Sequence, residues 1–222
     1  MAGGTATPDA TTALEKLCRT YWFPLYAYVR RQGHTTEDAQ DLTQEFLAAL
    51  IARRDFAQVD RNKGKFRSFL LACLNHFLAN DWRNRKALKR GGGQRFVPMD
   101  TQMAEERLAA EGASPLTPER LYDRRWALTV MEQSLENLRR EMAGNGKELL
   151  FHELKAFLAA PAADGSYDPV ATRLNMTAAA VATAVHRLRS RYRELVRSTL
   201  AQTVSTALEL EEEMRYLLEV LS

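Results

Sequence analysis

Asn75, His76, Asn80, Trp82 and Arg83 bring amide, imidazole, aromatic and guanidinium groups together within one short stretch. Past Asp81 the chain carries Arg83, Arg85, Lys86, Lys89, Arg90 and Arg95 with no acidic residue among them. Aromatic and amide groups stack on and hydrogen-bond exposed bases, while cationic heads hold phosphates. The combination suits single-stranded or locally opened DNA better than a metabolite. A solvated cationic helix end explains the basic run equally well when that run is taken alone.

A second set lies downstream. Thr177, Thr183, His186, Arg187, Arg189 and Arg193 share a segment in which Val181, Val185, Leu188, Tyr192 and Leu195 form an apolar stripe. A helix with one buried stripe and a cationic outer side fits the major groove, where it reaches base edges and phosphates. The alternative is an ordinary core helix with solvated arginines, but the Thr177 cap, the turn and the short helix before it favour DNA binding.

Other chemistries lack their residues. His34, His76, His152 and His186 are scattered, and no Cys/His spacing suggests zinc. Gly91-Gly92-Gly93 has no following lysine and no preceding strand, so it is not a phosphate loop. No paired carboxylates mark a cleft. The expectation is a protein with no cofactor, no metal and no catalysis of its own.

The elements that position these residues read as helices, with no convincing strand alternation. A first helix is expected over Ala13–Gln32, with Leu14, Leu17, Tyr21, Leu25 and Tyr28 on one face, after a flexible tail at 1–12. Thr35, followed by Glu37 and Asp38, should cap a second helix running to about Arg54. There Ala39, Leu42, Phe46 and Ala49 face inward, and Asp38, Asp41, Gln44 and Glu45 make an acidic edge. A third helix, from about Phe66 to Lys89, buries Phe66, Phe69, Leu70, Cys73, Leu74 and Phe77. Residues 91–117 contain three consecutive glycines and two prolines without an apolar period, and read as a flexible linker. Helices over Pro118–Met142 and Lys147–Ala160 follow. Then a short helix at Asp168–Leu174, a turn at Asn175-Met176 and a Thr177 cap lay out a helix-turn-helix over 167–197.

Composition sets the frame. The 222 residues are 45% hydrophobic and 27% charged, ordinary for a soluble protein able to bury a sizeable core. The net charge of +3 is too small to demand a nucleic-acid partner by itself. Distribution says more, with cations at 83–95 and 187–197 and acids at 37–45 and 209–213. Cys18 and Cys73 fall in apolar surroundings and are expected as buried thiols of a cytoplasmic protein. The N-terminus has no signal-peptide pattern, and no apolar run reaches membrane-spanning length, so no membrane partner is expected.

Three segments together resemble the extracytoplasmic-function (ECF) sigma factors of bacterial RNA polymerase, within the sigma-70 superfamily. They are YWFPLYAYVRRQGHTTEDAQDLTQEFLAAL, GKFRSFLLACLNHFLANDWRNRKALKRGGG and TRLNMTAAAVATAVHRLRSRYRELVR. The likeness is nearest to the large-loop variants common in planctomycete-like genomes. It implies an all-α protein with sigma domain 2 at 13–90, the linker at 91–117, sigma domain 4 at 118–200 and a helical extension at 201–222. It further implies that Asp38, Asp41, Gln44 and Glu45 dock on the clamp of core RNA polymerase. Asn75, Asn80 and Trp82 would meet extruded bases of the promoter minus-ten element, with Arg83, Arg85 and Lys86 on its phosphates. Thr177, Thr183, His186, Arg187 and Arg189 would read the minus-thirty-five element beside the polymerase flap. Catalysis would belong to the polymerase, and an anti-sigma factor or other regulator is a further partner the resemblance allows. The protein would be nucleoid-associated when bound to polymerase.

Departures from the family pattern keep rivals open. Ala178, Ala179 and Ala180 occupy the first turn of the second helix, where family members place polar side chains. Alanine makes only small apolar contacts, for example with a thymine methyl. The segment GNGKELLFHELKAFLAAPAADGS replaces a compact helix and turn. In the extension, Leu208, Met214, Leu217, Leu218 and Leu221 can form an amphipathic helix that folds back or binds a partner. A sigma-derived adaptor that recruits another partner, or a helical protein-interaction module, are the alternatives.

Overall fold

The computed structural model describes residues 8–52, 66–85, 100–112, 114–159, 166–204 and 206–222, with side chains from Thr20 onward except at 51–52 and 81–85. The described residues form nine α-helices and one 3-10 turn, without a strand: an all-α protein. They fall into two compact units, 1–129 with 203–222, and 130–202.

The first unit is built on α1 (Pro8–Arg31), α2 (Thr36–Ala52) and α3 (Phe66–Arg85). Thr35 caps α2 as expected, its Oγ1 accepting from Asp38 N–H at 3.1 Å. Glu37 and Asp38 then place negative charge against the positive end of the helix dipole. The expected stripes supply the core. Tyr21, Leu25 and Tyr28 of α1, Ala39, Leu42 and Phe46 of α2, and Leu70 and Leu74 of α3 are all buried. Phe66, Phe69, Cys73 and Phe77 are half-buried at the margins of the α3 stripe.

Residues 91–117 are not a linker throughout. Thr101–Glu111 forms α4, capped by Asp100, which accepts from Met103 N–H at 2.9 Å. It packs on α1 and α2. A single small side chain, Ala104, is fully buried, Leu108 is half-buried, and polar contacts complete the attachment. Glu105 accepts from Arg30 Nε and Nη2 at 2.7 and 2.8 Å and from the Tyr26 hydroxyl at 2.6 Å. The same guanidinium donates to the His34 carbonyl at 2.6 Å, which fixes the corner between α1 and α2.

The Arg30 hydrogen bonds hold the Glu105 carboxyl down at about 2, below its ordinary 4.5. A carboxylate whose pKa is lowered on folding stabilises above its unfolded pKa and loses that contribution as pH falls through the folded value. Glu105→Gln should therefore destabilise the chain by about 1–2 kcal/mol at pH 7, the lower part of the charge-assisted range because the pair is partly exposed. The difference between parent and variant should fade as pH falls from 4.5 towards 2, which urea titrations at a series of pH values would measure.

The unit is completed by the first part of α5 (Pro118–Gly144) and by α9 (Ala207–Leu221). A capping box starts α9, with Thr206 and Glu209 satisfying each other's backbone N–H. The extension thus folds back, but on an unexpected face. Leu217 is buried, Met214 and Leu221 are half-buried, and Leu208 and Leu218 are exposed at 71% and 62%. The buried charge is Glu213, which takes both hydrogen bonds of Arg67 Nη1 at 2.8 Å. Arg67 also donates to Asp123 at 3.0 Å and lies over the Tyr216 and Trp126 rings at 3.8 and 4.9 Å. The Tyr216 hydroxyl donates to the other Asp123 oxygen at 2.7 Å. Burial, together with that hydrogen bond, pushes the Tyr216 hydroxyl up to about 12. A guanidinium buried this deeply is tolerated because its charge and donors are met.

The second unit comprises the remainder of α5, then α6 (Glu148–Leu154) running into a 3-10 turn (Lys155–Leu158), α7 (Asp168–Leu174) and α8 (Ala178–Ala201). Gly146, at φ 67°, turns the chain out of α5, and Lys147 N–H returns to the Met142 carbonyl at 2.8 Å. Leu138, Phe151, Leu154, Val170, Ala171, Val181, Val185 and Leu188 form one core. The compact units therefore part within α5 rather than at its start, and 203–222 returns to the first unit. Of the expected tail at 1–12, residues 8–12 are helical and open α1, and 1–7 lie outside the described residues, as do 91–99 and 113 of the expected linker.

Candidate polymerase and nucleic-acid interface

The acidic edge of α2 is where the sequence places it. Asp41 and Glu45 are exposed, and Asp38 and Gln44 are half-buried, while Ala39 and Leu42 turn into the core. A carboxylate row on a helix anchored by its opposite side is a fitting surface for a basic partner helix.

On α3, Ala72, Asn75, His76, Ala79 and Asn80 recur at three- and four-residue spacing and are all exposed. They form one solvent face opposite Leu70 and Leu74. Asn75 is held from within: its Oδ1 accepts from the Tyr28 hydroxyl at 3.0 Å. Trp82, Arg83 and Arg85 belong to α3, but their side chains, and all of Lys86, lie outside the described residues.

In the second unit, α7 ends at Asn175 in the left-handed conformation, φ 51° and ψ 48°. Met176 N–H donates to the Ala171 carbonyl at 2.9 Å, and Asn175 N–H to that of Thr172 at 3.3 Å. Asparagine tolerates this conformation better than most residues, and the paired bonds satisfy the last carbonyls of α7. Thr177 then opens α8, its Oγ1 accepting from Ala180 N–H at 3.2 Å. Two helices, Asp168–Leu174 and Ala178–Ala201, thus flank a short turn. Ala179, Thr183, His186, Arg187 and Arg193 are exposed on one side of α8. Thr183 uses its hydroxyl proton on the Ala179 carbonyl at 3.0 Å. Arg189 is not part of that outer set. Its Nε and Nη2 donate to the Phe157 carbonyl at 2.8 and 2.6 Å, fastening α8 to the end of the 3-10 turn.

Residues 18–88 match the family model for sigma-70 region 2. The match supports a sigma-70 family member, with a sigma-factor role in RNA polymerase binding and promoter melting. Region 2 takes in α2, α3 and most of α1, so it contains both the acidic edge and the amide-bearing face. No curated protein and no solved structure matches the chain. Among the described residues, no His, Cys, Asp or Glu group is arranged to hold a metal ion, and no helix is long and apolar enough to cross a membrane.

Sequence reasoning missed two site neighbours, Tyr28 and Glu119. Tyr28 reads correctly as core, since its ring is buried edge-on to Tyr122 at 6.3 Å. Its hydroxyl, however, reaches the α3 face, and nothing in the spacing of α1 signals that.

Proposed function

We propose that this chain is an ECF-type sigma factor, a non-catalytic subunit that brings core RNA polymerase to promoters and helps to open the DNA. The region 2 match carries the reading, because it falls on the helix whose exposed face bears Asn75, His76 and Asn80. Asp38, Asp41, Gln44 and Glu45 of α2 dock on the polymerase clamp. Asn75, Asn80 and Trp82 hold unstacked minus-ten bases, and Arg83, Arg85 and Lys86 hold the adjoining phosphates. Trapping exposed bases offsets an unstacking cost of about a few kcal/mol per step. The α7–turn–α8 geometry supports minus-thirty-five contacts by Thr177, Thr183, His186 and Arg187 beside the flap, with Arg189 positioning α8.

Trp82→Ala and Lys86→Ala separate opening from attraction. Trp82→Ala should lose on the order of 1–3 kcal/mol of base stacking and slow open-complex formation with little change in salt dependence. Lys86→Ala should weaken binding to all sequences and lower the salt slope by about one phosphate contact. Permanganate footprinting with salt titration on one promoter reads both. Equal melting by parent and Trp82→Ala complexes at saturating protein would remove the role given to this aromatic.

The exposed Ala179 and half-buried Ala178 and Ala180 favour one alternative, an adaptor that binds DNA weakly and recruits another partner. Co-purification from the host separates the two: polymerase subunits accompany a sigma factor and are missing from such an adaptor.

A further inference from the structure

The contact between Tyr28 and Asn75 has a consequence for which bases the α3 face can accept. An asparagine amide shows solvent either its carbonyl oxygen or its two N–H donors, and free rotation offers both. Here the Tyr28 hydroxyl donates to Asn75 Oδ1 at 3.0 Å, which occupies the oxygen and leaves the Nδ2 donors for the exposed side. The hydroxyl sits on a ring that is only 2% exposed and is packed against Tyr122, so it cannot follow the amide if the amide turns. A second acceptor competes for the single proton: Glu119 Oε1 of α5 lies 3.3 Å from the same hydroxyl. Were Glu119 to take the proton, the tyrosine oxygen would accept from Nδ2 and the amide would show its carbonyl instead. Gln32 also faces this hydroxyl.

We infer that Tyr28 is a positioning residue that locks the Asn75 amide as a hydrogen-bond donor, so that the α3 face selects an unstacked base presenting an acceptor. This rests on the reading of Asn75 as a base contact. Tyr28 itself touches no DNA. Its effect is to turn an ambivalent side chain into one with a fixed polarity, and a fixed polarity is what distinguishes a carbonyl edge from an exocyclic amine.

The test uses holoenzyme assembled from the full chain and host core polymerase, and fork-junction DNA with the minus-ten positions randomised, sequenced before and after binding. The parent should favour one base at one position, and Asn75→Ala should flatten that position alone. Tyr28→Phe, which keeps the buried ring and removes the hydroxyl, should flatten the same position about three- to tenfold while leaving core polymerase affinity unchanged, the size expected for one lost hydrogen bond. Glu119→Ala, which removes the rival acceptor, should sharpen it by about twofold. If Tyr28→Phe folds poorly, Glu119→Ala alone decides, and an unchanged profile overturns the inference. Flattening by Asn75→Ala but not by a folded Tyr28→Phe overturns the positioning role and spares the base contact. A profile indifferent to Asn75→Ala removes the base contact, and the inference with it.

Discussion

Arg67→Ala should lower the stability of the first unit by about 3–5 kcal/mol, the cost of leaving a buried charge without its partner. Glu213 is 3% exposed and would lose the guanidinium that both its oxygens contact. Asp123 would lose the same partner, and Tyr216 and Trp126 the cation over their rings. The joint replacement Arg67→Met with Glu213→Leu should recover part of the loss, since it leaves no charge at the most deeply buried position, while the less buried Asp123 keeps the Tyr216 hydroxyl. Urea unfolding gives the free energies, and hydrogen exchange at the α9 amides shows whether that helix lets go first. A loss under about 1 kcal/mol for Arg67→Ala would mean that this cluster does not hold α9.

Asp41→Arg should weaken core polymerase binding by about 2 kcal/mol, about thirtyfold, while the fold survives. The side chain is exposed on α2, and the residues beside it that bury the helix, Ala39 and Leu42, are untouched. Reversed charge there would meet a basic partner surface as repulsion. Fluorescence anisotropy with labelled chain, alongside circular dichroism, measures affinity and fold together. Parent-like affinity with an unchanged spectrum would remove the acidic edge from the docking surface.

Much of the helical framework is legible because its signals are local. Leu70 and Leu74, or Val181, Val185 and Leu188, recur at the period that puts them on one side, and Thr35 and Thr177 cap the helices that follow them. Helix α4 escapes that reading because Ala104 and Glu105 anchor it, and one small residue beside one charge makes no apolar period. The face of α9 is misjudged for a related reason. Counting leucines points to Leu208 and Leu218, whereas a buried Glu213 fixes the register, and its partner Arg67 stands far away in sequence. The site divides in the same way. Asp41, Asn80, His186 and Arg187 are exposed, as helical spacing demands. That Asn75 is held by Tyr28, and that Arg189 spends its donors on Phe157, depend on tertiary contacts with no local sign.

The most direct test of the sigma-factor reading is transcription in vitro from a promoter library by core RNA polymerase, with and without the purified chain. The account predicts transcripts from a defined subset of promoters that appear only when the chain is present, with permanganate-reactive thymines around their start sites. DNA binding by the chain that neither requires core polymerase nor yields any start-site opening would contradict it.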